Sequence, residues 1–244
     1  TIQKLHLALG VKMAQISQKV VKRSVKGHYE ALEVKSAETD LFAYTILQYL
    51  QTQGLDQLAS DITNTTKEQI RRYLIQSAEQ NLTLPESIVL LRGAGITDYR
   101  AELIARTETG RAANIGSMVG ATSTGLVTVK EWIAAKDNRT RRIPRDQFDH
   151  LNMDGTKIPM DATFKLQNKK GGFDLMLHPC DSSGSAGDVC NCRCTLGYEA
   201  QRDKNGKLLK LQDNPPKGNV GMIWGILTNA VGMQIGRLIA DLFE

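Results

Sequence analysis

At Gly125 the apolar pattern of this chain changes period, and that change limits the folds open to it. Upstream, hydrophobic residues recur at helical spacing; downstream they alternate, as they do along a half-buried strand. A chain that is helical first and β-rich later predicts an α+β arrangement.

The helical part divides into several segments. Leu9, Met13, Ile16 and Val20 fall on one helix face, with Lys12, Lys19, Lys22, Arg23 and Lys26 forming a basic outer surface. A second helix, SAETDLFAYTILQYLQTQG, enters through Ser36 or Thr39 and stops at Gly54. A third, TTKEQIRRYLIQSAEQN, places Thr65 and Glu68 at capping-box spacing. Pro85 suits the first turn of a fourth, PESIVLLRG. A longer helix, TDYRAELIARTETGRAANIGSMVGA, has Thr97 or Asp98 as its N-cap and Leu103, Ile104, Ala112, Ile115 and Met118 at helical spacing.

Beyond Gly125, LVTVKEWIA alternates and is rich in β-branched residues. Shorter strands are expected at TKIPM, TFKLQ, DLMLH and CRCTLGYEA, and Asn205-Gly206 marks a hairpin turn. Pro215-Pro216 then breaks the chain. The expected organisation is a helical region over 1–97, a compact domain over 98–212, and a linker with a C-terminal apolar helix over 213–244.

Hydrophobic residues make up 41% of the 244 and charged residues 23%, enough for one or two domains with a core. The net charge of +5 is compatible with nucleic-acid contact without demonstrating it. Four cysteines are too few for a secreted disulfide scaffold. The N-terminal stretch, with lysines throughout, does not read as a secretory leader, and its first residue, Thr1, points to a trimmed start. Synthesis in the cytoplasm is the expectation.

Three of those cysteines, Cys190, Cys192 and Cys194, stand at every second position, and Cys180 lies upstream in LHPCDSSG. On a strand the three would face one way and could share a metal, with zinc the expected ion and His150, His178 or Cys180 completing the set. Two other readings stand beside it: small buried thiols in a tight β corner, or one long-range disulfide from Cys180. Same-face neighbours on one strand are poorly placed to bond each other.

Charge is dense between Asp137 and Asp154, where Arg139, Arg141, Arg142, Arg145, Asp146, Asp149 and His150 also lie. As an enzyme site this would make His150 a general base oriented by Asp149 or Asp154. As a structural device it would be an Asp137–Arg141–His150–Asp154 network holding an irregular loop. No nucleophile motif, phosphate-binding glycine loop or HExxH accompanies it. Arg139, Arg141, Arg142 and Arg145 are also candidates, with the basic N-terminal helix, for weak, salt-sensitive and sequence-independent DNA contact. Arg106, Glu108 and Arg111 share one helix, where local pairing or docking onto the β section is the default account.

Asn219 to Gly236 carries no charged residue. That length touches the lower limit for a membrane span, roughly 17 residues. Thr228, Asn229 and Gln234 are polar and Arg237 follows at once, which favours docking on a protein surface over insertion.

Taken in order, IARTETGRAANIG (104–116), Trp132, DNRTR (137–141), His150, MDG (153–155) and NCRCTL (191–196) resemble the phage Mu F-like minor head proteins, the phage head morphogenesis domain. The likeness covers roughly residues 98 to 200, with Arg106, Glu108, Asp137, Arg141, His150, Asp154, Gly155, Cys192 and Cys194 as its signature. It implies a non-enzymatic virion protein, inside the head at the portal vertex, acting in head morphogenesis and genome packaging or ejection. The implied partners are the portal protein, the major capsid protein and packaged DNA, with self-association or membrane contact through 219–244. Relatives usually have an apolar residue where Cys190 stands and often a non-cysteine where Cys180 stands. The competing readings are a metal-dependent hydrolase, a toxin-like effector, or a membrane-active ejection factor.

Overall fold

The computed structural model describes residues 10–19, 21, 73, 76, 82–93, 95–213, 215–218 and 220–225. The helices expected over 36–54 and 65–81 lie outside the described residues, apart from Tyr73 and Gln76, which are helical.

Among the described residues the helices are α1 (10–19), α2 (Leu84–Gly93), α3 (Asp98–Thr122) and the single turn α4 (Ala186–Val189). Glu86 starts α2 by accepting from both the amide and the hydroxyl of Thr83, each at 2.6 Å, and so occupies donors that a helix N-terminus leaves free. Pro85 sits in that first turn, as expected.

Helix α3 is the spine of the molecule, and every residue from Asn114 to Thr122 is buried. Close approach explains how so polar a sequence is covered. A Cβ at Gly116 would overlap the backbone of Gly10, and one at Gly120 would overlap that of Ala14. Small residues four apart on both helices thus let α1 cross α3 with main chains touching. Gln18 Nε2 extends the contact by donating to Ser123 Oγ at 3.2 Å.

This crossing corrects the expected face of α1. Val11, Ala14, Ser17, Gln18 and Val21 are buried, while Ile16 is 51% exposed and Met13 only half-buried. The face that docks is the one with the smallest side chains, because only it admits the α3 backbone. Leu9 and Val20 lie outside the described residues.

The β section consists of two small antiparallel sheets. Strand β1 (Thr128–Ile133) is central in the order β2-β1-β5, between β2 (Lys157–Pro159) and β5 (Thr195–Ala200). Strands β3 (Phe164–Gln167) and β4 (Phe173–Met176) form a separate hairpin. The Asn205-Gly206 turn is present, with Gly206 at φ +81 and Asp203 N donating to Lys207 O at 2.8 Å. The strand expected across CRCTLGYEA begins only at Thr195, so Cys190, Cys192 and Cys194 do not share a strand face. Cys190 instead caps α4, and Asn191 turns the chain with φ +58.

Alternation along β1 sends Thr128, Lys130 and Trp132 inward. A lysine at such a position reads as solvent-facing, yet Lys130 is fully buried, with Nζ 2.7 Å from Leu177 O and 5.4 Å from the Phe164 ring centroid. Burial pulls its pKa down to about 7, against the pull of Asp181 and Asp161. The unfolded chain therefore holds the proton across the window from about 7 to about 10, and stability should rise with pH there. Lys130→Met is expected to stabilise the protein at pH 7 by about 1–3 kcal/mol. That advantage should shrink as pH approaches about 10. Urea unfolding of both proteins at the two pH values is the check, and a difference independent of pH would contradict it.

The C-terminal segment departs from expectation at its start. Val220 and Ile223 are 1% and 0% exposed and belong to the main core, so the Pro215-Pro216 break does not detach residues 220–225. Among the described residues no helix is long and apolar enough to cross a membrane; residues 226–244 of the expected apolar helix lie outside them.

Candidate metal centre

Three loops meet against the middle of α3: the segment around His150, the turn at His178–Asp181, and the stretch from Asn191 to Cys194. Helix α3 holds two of them with side chains one turn apart. Thr107 Oγ1 accepts from Asn191 N at 2.8 Å, Arg111 Nε donates to Cys180 O at 3.0 Å, and Asn114 Nδ2 donates to Pro179 O at 3.0 Å. Glu108, itself buried, fixes Arg111 through a 2.6 Å ion pair. Docking of this helix onto the β section, the default account of its charged residues, is what the structure shows for Glu108 and Arg111. Arg106 pairs locally with Glu102 at 2.6 Å. Gly110 has no room for a side chain: a Cβ there would stand 2.9 Å from the Cys180 sulfur.

At the centre, His150 Nδ1 lies 3.4 Å from Cys192 Sγ and 3.5 Å from Cys194 Sγ, and all three residues are buried. With zinc–nitrogen and zinc–sulfur bonds of about 2.0–2.3 Å, the edges of a tetrahedron are about 3.5–3.8 Å. The two nitrogen–sulfur distances thus match edges of a coordination tetrahedron, all three ligand atoms lie within 4.8 Å of one another, and this group can hold a metal ion. Two N–H groups, one of the backbone and one of a side chain, suit the sulfurs as anions. Cys194 N approaches Cys192 Sγ at 3.5 Å, and Trp132 Nε1, which is buried and meets no nitrogen or oxygen acceptor, adjoins Cys194.

The electrostatics describe a cluster that already separates charge. Hydrogen bonds from Cys180 and Cys194 bring the Cys192 thiol well below its ordinary value, with His150 adding to them against burial. Cys194 is pushed up, first by its bond to Cys192 and then by burial. Burial would lower His150, but its bonds to Asp188 and Cys192 outweigh that and raise it to about 9. A metal at this point would take the place of the protons these groups share.

Asp188, on α4, contacts His150 Nε2 through Oδ1 and fixes which ring nitrogen faces the thiols. The general-base reading had named Asp149 or Asp154 for this task, and neither performs it. Asp149 accepts from Asn152 N at 2.8 Å, and Asp154 accepts from Ala134 N at 3.0 Å and pairs with Lys136 at 2.6 Å. Nor do Asp137, Arg141, His150 and Asp154 form one network. Asp137 holds its own turn and Arg193, Arg141 reaches the Cys190 carbonyl, and Gly155, at φ +77, donates to Trp132 O at 2.8 Å. Each fastens a separate loop, two of them directly to the cysteine segment.

The remaining candidates lie elsewhere. His178 is buried with Nδ1 2.9 Å from Pro179 O, and burial holds its pKa down. Cys190 is half-buried near Arg141, Arg111 and Glu108. Arg145 binds Asn138 O at 2.6 Å and Thr140 O at 2.7 Å. Of the four DNA candidates, Arg139 and Arg142 are exposed and make no side-chain bond among the described residues. Sequence reasoning gave no site role to Asp188, Thr107, Asn114 or Trp132, although the last three stand in the motifs that carry the resemblance. Thr107 and Asn114 carried a further readable sign, since with Arg111 they mark one polar stripe on α3.

No curated protein matches this chain, and no solved structure does. The family model described as Phage Mu protein F like protein matches residues 53–197, more than half of the sequence and all of the loops that build the centre. The chain belongs to the phage Mu protein F-like family, a family of phage head morphogenesis.

Proposed function

We propose that this protein is a minor head protein of a tailed phage that resides inside the capsid at the portal vertex, where it acts in head morphogenesis and in packaging or ejecting the genome. Family membership over residues 53–197 carries the reading. Zinc is the ion we assign to the His–Cys centre, because a buried set of thiolates and one imidazole suits it above harder cations. Its part is structural: the signature residues of α3 and the loops hold the cysteine segment in place. The partners are the portal and major capsid proteins, with weak DNA contact through Arg139 and Arg142.

A hydrolytic or effector reading has one observation in its favour. A small surface pocket, with room for little more than a water molecule, is lined by Arg139, Arg141 and Arg193 next to His150, Cys192 and Cys194. An open coordination position there would suit an anionic substrate.

Removing residues 226–244 tests the assembly role while keeping the core residues Val220 and Ile223. The truncated protein is expected to keep its melting temperature and to disappear from purified heads that contain portal and capsid protein. Normal incorporation would contradict docking through this segment. Normal incorporation with failed DNA delivery would favour the membrane-active reading.

A further inference from the structure

We propose that Cys180 is the fourth ligand of this centre, completing a closed tetrahedral set of three thiolates and one imidazole with His150, Cys192 and Cys194. The inference rests on the assignment of zinc to the site.

Two candidates compete with Cys180 among the cysteines and histidines, and the geometry disfavours both. His178 turns Nδ1 to the Pro179 carbonyl and is grouped with Lys130 and Asp181. Cys190 has Arg141, Arg111 and Glu108 as its charged neighbours, with no other cysteine and no histidine among them, and is absent from the group formed by His150, Cys192 and Cys194. Cys180 is completely buried with its Sγ 3.7 Å from Cys192 O; it stands just outside the group of His150, Cys192 and Cys194 atoms that lie within 4.8 Å of one another, so ligation requires its side chain to turn inward.

Independent features fix it there. Cys180 has φ +65, a left-handed conformation that a residue with a Cβ adopts only when its surroundings demand it. The demand comes from α3: Arg111 grips the Cys180 carbonyl, and the missing side chain at Gly110 makes the space its sulfur fills. The sulfur approaches from the α3 side, whereas the cavity with Arg139 and Arg193 lies on another side and does not include Cys180. Ligation by Cys180 leaves no coordination position for water, which is the arrangement of a structural centre. Ligation by water from the cavity would leave the open position of a hydrolytic one.

X-ray absorption of the intact zinc-loaded protein reads this directly. Three sulfurs and one nitrogen are expected around zinc; two sulfurs with two nitrogen or oxygen neighbours would overturn the proposal. Cobalt substitution gives a second readout in solution. Cys180→Ser should lower the thiolate-to-cobalt absorption by about one third while Cys190→Ser leaves it unchanged. An unaltered spectrum in Cys180→Ser would overturn the assignment of this ligand. A parent protein that binds neither metal would instead sink the zinc reading on which it rests. Should Cys180→Ser not fold, the absorption data on the parent still decide.

Discussion

Cys192→Ser is expected to yield a protein without stoichiometric zinc whose unfolding free energy falls by more than about 4 kcal/mol. Cys192 is the hub of the cluster. It touches His150, Cys194 and Cys180, and its thiol is the one brought furthest toward the thiolate. Serine keeps the volume but removes the soft anionic ligand, leaving buried His150 Nδ1 without its Cys192 partner. Urea unfolding with and without EDTA separates the causes. EDTA should bring the parent down to the level of the variant and leave the variant unchanged. Equal stability of the two proteins, with the parent indifferent to EDTA, would return the cysteines to the role of buried thiols.

Gly120→Leu should have the second-largest effect, at the other end of α3. A side chain there meets the Ala14 main chain and forces α1 off its seat, a change expected to cost about 3 kcal/mol or more. Because the metal centre contacts α3 from Thr107 to Asn114, one end should fail without the other. Limited proteolysis is expected to cut near α1 while the zinc content stays at the parent level. Unchanged protease resistance would mean that the crossing does not hold α1.

What could be read in the sequence, and what could not, follows from how far apart in the chain each interaction reaches. The change of period at Gly125, the Asn205-Gly206 turn and the place of Pro85 are local, and the structure bears them out. The grouping of Cys192 and Cys194 with His150 was also readable, since alternating cysteines have few uses other than ligation or dense packing. The partner of His150 was not. Asp188 is 38 residues away, and nearer carboxylates at Asp149 and Asp154 offered themselves first. Lys130 was hidden for the same reason, because the groups that make its burial tolerable, the Leu177 carbonyl with Phe164, Asp161 and Asp181, lie 30 or more residues on.

Helix α1 misled in a different way. Hydrophobic periodicity finds the greasiest face, but α3 selected the smallest. Gly10 and Ala14 say nothing alone; they gain meaning only opposite Gly116 and Gly120. The strand expected through the three cysteines failed because the chain needs a left-handed residue, Asn191, to bring Cys192 and Cys194 to one histidine.

The central claim is that a metal-centred fold of this kind serves inside the phage head. Native mass spectrometry of the protein released from purified, assembled heads, handled without chelator, tests both halves at once. The account predicts that the chain is present and carries one zinc ion. Heads without the chain, or a chain released from them free of metal and unaffected by EDTA, would contradict it.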